Sequence, residues 1–225
     1  MLEGQTVVAI IPAKGSSRRV PDKNMRQVGK ETLLQRKIRQ LKDSSIVDRI
    51  VVGSDSDIVE HISLSNGAEF LRRDSYFCDE ERCSANEMIE DLVSRVSEDV
   101  VLWAHCTNPF VSAAEYDDAL ARYFGELGRD SLVSVTEIRS HIWTADERPF
   151  NFEPLRKPHQ LASTLSPIYY QDGAIFIQPR KQMLKNAYFY GEKPFLYKLE
   201  PSVSIDINTE FDLILVQSLL DAGWK

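Results

Sequence analysis

Lys14, Arg18, Arg19 and Lys23 crowd together just past an apolar run, Val7–Ile11, with Gly15, Ser16 and Ser17 among them. Lysine and arginine neutralise polyanions, while glycine and serine let backbone N–H groups approach anionic oxygens. The chemistry on offer is phosphate binding. A solvated basic loop is the plain alternative, and charge alone does not separate the two. The spacing is neither GxxxxGK[ST] nor GxGxxG, so a P-loop and a dinucleotide fingerprint are both unsupported. A second set is Asp206, Asn208 and Asp212 in "DINTEFD". Residues two apart on an extended segment project to one side and can share a hard cation. Asn208–Thr209 equally reads as the cap of a final helix, with Glu210 and Asp212 favouring its N-terminus. A third set is His105, Cys106, Thr107 and Asn108, where a ligand contact and a satisfied structural histidine both remain open.

These residues need elements to hold them. Val7–Ile11 and Val100–Ala104 read as buried strands, and each leads directly into a candidate set. Arg49–Val52 is a strand followed by "SDSD", whose Ser54, Asp55 and neighbours suit a helix cap. Thr32–Leu41, Ile58–Ser65, Asn86–Val96 and Ala113–Phe124 read as helices, with Asn66–Gly67 stopping the second. Leu132–Thr136, Ala174–Gln178 and Pro194–Leu199 read as strands and Thr209–Ala222 as a closing helix. This alternation predicts an α/β fold: a mostly parallel, doubly wound, Rossmann-like sheet flanked by helices, forming one domain over 1–225. Ligands in such sheets gather at the carboxyl ends of the strands, where the basic loop falls. Residues 141–167, proline-rich and of mixed polarity, read as a small projecting arm.

With 27 Lys+Arg against 34 Asp+Glu, a net charge of −7 gives no general attraction to nucleic acid or an anionic membrane, so the local basic cluster carries more information. Three cysteines (Cys78, Cys83, Cys106) without a CxxC pair suggest reduced thiols. Cys78 and Cys83 with His105 match no standard zinc spacing. No signal-like segment opens the chain and no apolar run suits a membrane span, so the expectation is a soluble, cytoplasmic protein.

"IIPAKGSSRRVPDKN" resembles the loop IIPARGGSKxxPxKN of the cytidylyltransferases that activate acidic sugars, chiefly the CMP-sialic acid (acylneuraminate) synthetases. Pro21, Lys23 and Asn24 match outright. Lys14 stands at the family's arginine and Arg18 at its lysine. "VGSDSDIVEHISLSNGAEFLRR", "LWAHCTNPFVSAAEYDDAL", "YYQDGAIFI" and "SIDINTEFD" resemble further family segments in the expected order, across nearly the whole chain. The resemblance implies attack of an acidic 2-keto sugar on the α-phosphorus of CTP, with Mg²⁺ (or Mn²⁺) as cofactor. It implies that Lys14, Ser17, Arg18 and Lys23 hold the triphosphate, with Ala13, Gly15, Ser16, Asn24, Ser54, Asp55 and Ser84 around the nucleotide. Arg72 or Arg73 takes the arginine near cytosine and ribose, and Arg19 is left in solvent. Asp206 and Asn208 occupy the metal positions, although Asn208 replaces an aspartate and brings no charge. On the sugar side it implies His105, in place of a glutamine, with Thr107, Asn108, Tyr170, Asp172 (in place of an asparagine) and Gly173. Arg156, Lys157 and His159 on the arm are candidate carboxylate contacts, and the arm implies a homodimer. An octulosonate acceptor or a catalytically weak nucleotide-binding homologue are the alternatives.

Overall fold

The computed structural model of the chain describes residues 4–224 apart from 16, 18 and 127. β1 (Val7–Pro12) leads to a short hairpin, β2 (Gln27–Val28) and β3 (Glu31–Thr32), then helix α1 (Leu33–Lys42). β4 (Arg49–Ser54), α2 (Asp57–Ser65) and β5 (Glu69–Arg72) follow, then α3 (Ala85–Ser94), β6 (Val100–Ala104) and α4 (Ala113–Gly125). β7 (Ser131–Ile138), β8 (Ile168–Pro179), α5 (Arg180–Asn186), β9 (Pro194–Leu199) and α6 (Glu210–Asp221) come after them.

The main sheet has seven strands in the order β5-β4-β1-β6-β8-β7-β9. β1 pairs in parallel with both β4 and β6, and β8 runs antiparallel to both its neighbours. The sheet is therefore mostly parallel, as its β-α rhythm predicts. From β1 the chain steps outward to β4 and β5, then returns to place β6 on the other side of β1. That reversal opens a crevice at the carboxyl ends of β1 and β6, the place where doubly wound sheets bind ligands.

β1 shows why this centre is rigid. Val7, Ala9 and Ile11 enter the core beneath α1 and α4, while Val8 and Ile10 enter the opposite core with Ile89 and Leu92 of α3 and Trp103 of β6. A strand buried on both faces needs no polar alternation, which is why it reads as a continuous apolar run. Capping boxes Thr32/Gln35, Ser84/Glu87, Ser112/Glu115 and Thr209/Asp212 open α1, α3, α4 and α6. Each satisfies backbone donors that the first helical turn leaves unpaired.

The structure adds β5, α5 and the β2–β3 hairpin to the expected elements, and it extends the Ala174–Gln178 strand to Ile168–Pro179. Residues 141–167 contribute no strand to the sheet; they hold an isolated Trp143–Pro149 bridge and a 3-10 turn at Ala162–Thr164. Trp143, Phe150, Leu155 and Leu161 of this arm are all exposed.

Candidate active site

The crevice holds a cavity of about 560 Å³. Its basic end is the loop after β1, from which Lys14, Ser17, Arg19 and Lys23 line the wall. Arg19, which the resemblance leaves in solvent, is thus on the cavity, although exposed. Ser16 and Arg18 lie outside the described residues. Ala13 anchors the loop's start by donating its N–H to Gly53 O at 3.0 Å, and Asn24 Nδ2 donates to Lys14 O at 3.1 Å. Gly15 itself touches the cap of α2: a Cβ there would lie 2.6 Å from Ser56 Cβ, so a side chain would push the loop away. Its N–H is held by Asp55 Oδ1 at 3.0 Å, and Lys14 Nζ lies 2.7 Å from Glu80 Oε2. Lys14, Asp55 and Glu80 also border an adjoining polar cavity of about 260 Å³.

Lys23 reaches across to donate to Ile207 O at 2.8 Å. Burial pulls its pKa down, and the neighbouring Asp206 carboxylate opposes that shift. Asp206 and Asn208 face the basic loop from the segment before α6. Asn208 Nδ2 donates to Asp206 Oδ2 at 2.6 Å, while Asp206 Oδ1 is buried without a hydrogen-bond partner. A buried, unpartnered carboxylate oxygen on a cavity wall is suited to a hard cation. Asp212 serves the helix instead, accepting from the backbone N–H groups of Asn208 and Thr209. The cap reading therefore holds at Thr209 and Asp212, while Asp206 is left with an unpartnered oxygen. Among the described residues no three His, Cys, Asp or Glu side chains converge as a metal cage.

Part of the lining is apolar, with Phe77, Cys78, Cys83, Ala85 and Met88 on the walls and Ser84 among them. Arg73 enters here. Its Nε donates to Asp91 Oδ2 at 2.7 Å in a buried pair, and its Nη2 is buried with no partner. Arg72, its neighbour, is exposed and pairs with Asp57 and Glu60 on the outer surface. Of the two candidate arginines, only Arg73 is on the cavity. Phe77, Cys78, Glu80, Cys83 and Met88 carry no motif that marks them; they sit on an irregular connection and the turn into α3, where no periodicity reveals an inward face.

His105, Thr107 and Gly173 also line the cavity. Trp103 Nε1–H donates to His105 Nε2 at 3.1 Å, and His105 Nδ1 lies 2.8 Å from Gly173 O. Indole is only a donor and a carbonyl only an acceptor, so the imidazole is the neutral Nδ1–H tautomer with both nitrogens occupied. Burial correspondingly lowers its pKa. His105 is on the cavity as expected, but it offers no free nitrogen to a sugar. Gly173 takes a φ of +76°, a turn conformation that suits glycine. Thr107 O accepts from Ile207 N at 2.9 Å, tying this wall to the Asp206 segment.

Three further candidates are part of the scaffold and not the cavity surface. Asp172 is buried, accepting from Ser134 Oγ, from Thr136 Oγ1 at 3.0 Å and from Ala174 N at 3.1 Å. Asn108 is buried beneath the β6–α4 turn, where its carbonyl accepts from Lys37 Nζ at 2.9 Å. Ser54 is buried and accepts from Ser56 N at 3.2 Å. On the arm and the start of β8, Arg156, Lys157, His159 and Tyr170 are exposed and do not line this chain's cavity.

The family model described as Cytidylyltransferase matches residues 8–215. The N-acylneuraminate cytidylyltransferase of Streptococcus agalactiae serotype III is 25% identical over 93% of this chain. The chain spans about half (52%) of that relative's length. The CMP-N,N'-diacetyllegionaminic acid synthase of Legionella pneumophila is 29% identical, with 96% of each chain covered. In fold, the chain is similar to a CMP:2-keto-3-deoxy-manno-octonic acid synthetase solved in complex with CTP, at a TM-score of 0.70 and 13% identity, covering 97% of this chain and 99% of the other.

Proposed function

The chain belongs to the cytidylyltransferase family, and we propose that it joins CTP to an acidic 2-keto sugar of the nonulosonic class, forming a CMP-sugar and pyrophosphate. The observation that carries this reading is the mixed lining of one cavity: the cations Lys14 and Lys23, a buried guanidinium beside apolar side chains, and an unpartnered carboxylate oxygen. A triphosphate matches the first, a nucleobase the second.

In this reading the acceptor's anomeric hydroxyl attacks the α-phosphorus. The new P–O bond forms as the bridge to the β-phosphate breaks, and the hydroxyl proton is released to solvent. The protein's part is alignment and charge stabilisation. Lys14 and Lys23 hold the β- and γ-phosphates and stabilise the departing pyrophosphate. Ser17 and Arg19 border the same anion, and Asn24 keeps the loop in shape. Asp206, with the side-chain carbonyl of Asn208, is where a divalent cation would be held, together with phosphate oxygens. Such a cation, when bound, offsets negative charge on the phosphates. His105 and Gly173 shape the acceptor side without contributing a proton donor of their own.

The exposed apolar residues of 141–167 support a homodimer in which the arm's Arg156, Lys157 and His159 serve a second copy's acceptor site. No described helix is long and apolar enough to cross a membrane, and a cytoplasmic enzyme is the companion reading. Pyrophosphate release is the test. CTP should be turned over with a nonulosonic acid in Mg²⁺ and should outpace UTP, ATP and GTP. Turnover confined to octulosonic acids would move the acceptor assignment, and CTP binding without any pyrophosphate release would overturn the enzymatic reading.

A further inference from the structure

Asp91 has no place on the cavity wall, yet its carboxylate is one of the most enclosed charges in the described chain, with a side chain only 3% exposed. It bridges two arginines. One oxygen accepts from Arg73 Nε at 2.7 Å and the other from Arg95 Nη2. Arg95 Nη1 in turn donates to Arg72 O at 2.7 Å, so the end of β5 is fastened to α3 at both backbone and side chain. Gly53 makes room for this packing: a Cβ there would lie 2.3 Å from Leu92 Cδ2 and 3.0 Å from Arg73 Cδ.

The result is a guanidinium with one direction left. Its Nε is spent on Asp91, its Nη1 faces Cys78 Sγ at 3.7 Å, and the group lies over the Phe77 ring at 5.9 Å. Nη2 is buried without a partner on an arginine that lines the cavity. A buried N–H without an acceptor is costly, and a ligand carbonyl removes that cost. The Asp91 carboxylate also cancels the Arg73 charge locally, so this end of the cavity does not compete with Lys14 and Lys23 for phosphate. What remains is a planar, oriented donor in an apolar compartment, suited to a neutral acceptor.

We propose that Asp91 is a positioning residue for nucleobase recognition: it fixes Arg73 so that the unspent Nη2 donates to a ring carbonyl, the O2 that cytosine and uracil both carry. The proposal rests on the cytidylyltransferase reading and deepens it. It assigns the Arg73–Asp91 pair to selection of pyrimidines over adenine and leaves discrimination between cytosine and uracil to other groups. Asp91 acts through Arg73 and touches no substrate.

Calorimetric binding of CTP, UTP, ATP and inorganic tripolyphosphate to the full chain tests this. Asp91→Asn should weaken CTP and UTP together by about tenfold or more while tripolyphosphate affinity stays within about twofold. A purely structural role lowers Tm and leaves the ratio of CTP to tripolyphosphate affinity unchanged, which would overturn the proposal. Breaking one side of a buried pair can prevent folding, so a second arm removes both charges. Arg73→Met and Arg73→Met/Asp91→Leu should bind CTP equally weakly, because Asp91 has no route to the base except Arg73. A further loss in the double variant would also overturn it. If the wild type prefers UTP to CTP and Asp91→Asn weakens both against ATP, the cytidylyl reading fails and the positioning role stands; a preference for ATP overturns both. A CTP preference over ATP that survives Asp91→Asn undiminished leaves the cytidylyl reading standing and overturns the positioning role.

Discussion

Two groups of polar residues at the cavity spend their polarity differently. Arg73 Nη2 and Asp206 Oδ1, on two residues that line the cavity, are buried without partners, although both residues are otherwise held firmly. His105, also on the cavity, has both ring nitrogens engaged, and Asp172, off the cavity surface, accepts from Ser134, Thr136 and Ala174. Asn108 does keep an unpartnered Oδ1, but beneath the turn and off the cavity. The difference separates residues that hold a site from residues that meet a ligand. A polar group already satisfied by the fold has little left to give, whereas an unsatisfied one aimed into a cavity gains from binding. On this view Arg73 and Asp206 are preformed to act, and His105 supplies shape.

The largest expected effect comes from crossing that division at Lys23. Lys23→Met keeps the aliphatic stem but removes the cation, and pyrophosphate release should fall by roughly 10²–10³-fold in kcat. His105→Gln should change kcat and the KM for CTP by less than about threefold, since no ring nitrogen is free for substrate. A collapse of turnover in His105→Gln would break the comparison. The pH profile offers a matched reading. Burial lowers the Lys23 pKa, so CTP affinity should decline on the alkaline side before an ordinary lysine would lose its proton, and Lys23→Met should flatten that decline.

Next in size is Asp172→Asn. Burial raises this carboxyl's pKa, so the group favours the folded state only at acid pH, and that contribution is lost as pH rises through the raised value. At neutral pH the amide should raise Tm by about 2–4 °C with an unchanged KM for CTP. The gain should shrink as pH is lowered. A rise in KM would place Asp172 in the site after all.

Lys37 gives a subtler probe of the scaffold. It is fully buried, donating to Asn108 O at 2.9 Å and Tyr116 Oη at 2.7 Å, and burial lowers its pKa to about 7. The unfolded chain keeps its proton to higher pH, so stability rises between about 7 and the ordinary lysine range and is lost as pH falls back through that window. Lys37→Met should remove that slope in Tm. The smallest effect concerns Glu80, whose exposed carboxylate pairs with Lys14. Glu80→Gln should tighten CTP by only about two- to threefold, as expected when an exposed ion pair no longer competes with phosphate.

Much of this was legible in the sequence, for reasons that differ by region. Val7–Ile11 and Val100–Ala104 announced central strands because burial on both faces leaves no polar interruption, and each pointed to the loop it feeds. The basic loop, Asn24 and Asp206 were found from residue type and order. Strand parity did not favour Arg73 over Arg72, since Phe70 and Leu71, on opposite sides of β5, each pack against a core. The locked state of His105 did have a signal: Trp103, two residues earlier, shares its face. Asp91 had none, because it meets Arg73 only when α3 folds over the end of β5. Glu80, Phe77 and Cys78 lie on an irregular connection whose inward side no repeat reveals. α5 escaped because its seven residues have no side-chain cap.

A crystal structure of the protein with CTP bound tests the central claim most directly. The triphosphate is expected on Lys14 and Lys23, the base in the compartment of Phe77 and Met88, and Arg73 Nη2 on its ring carbonyl, with His105 still bonded to Trp103 and Gly173. A base seated against His105 with the imidazole freed from those bonds, or a triphosphate bound away from the loop after β1, would contradict it.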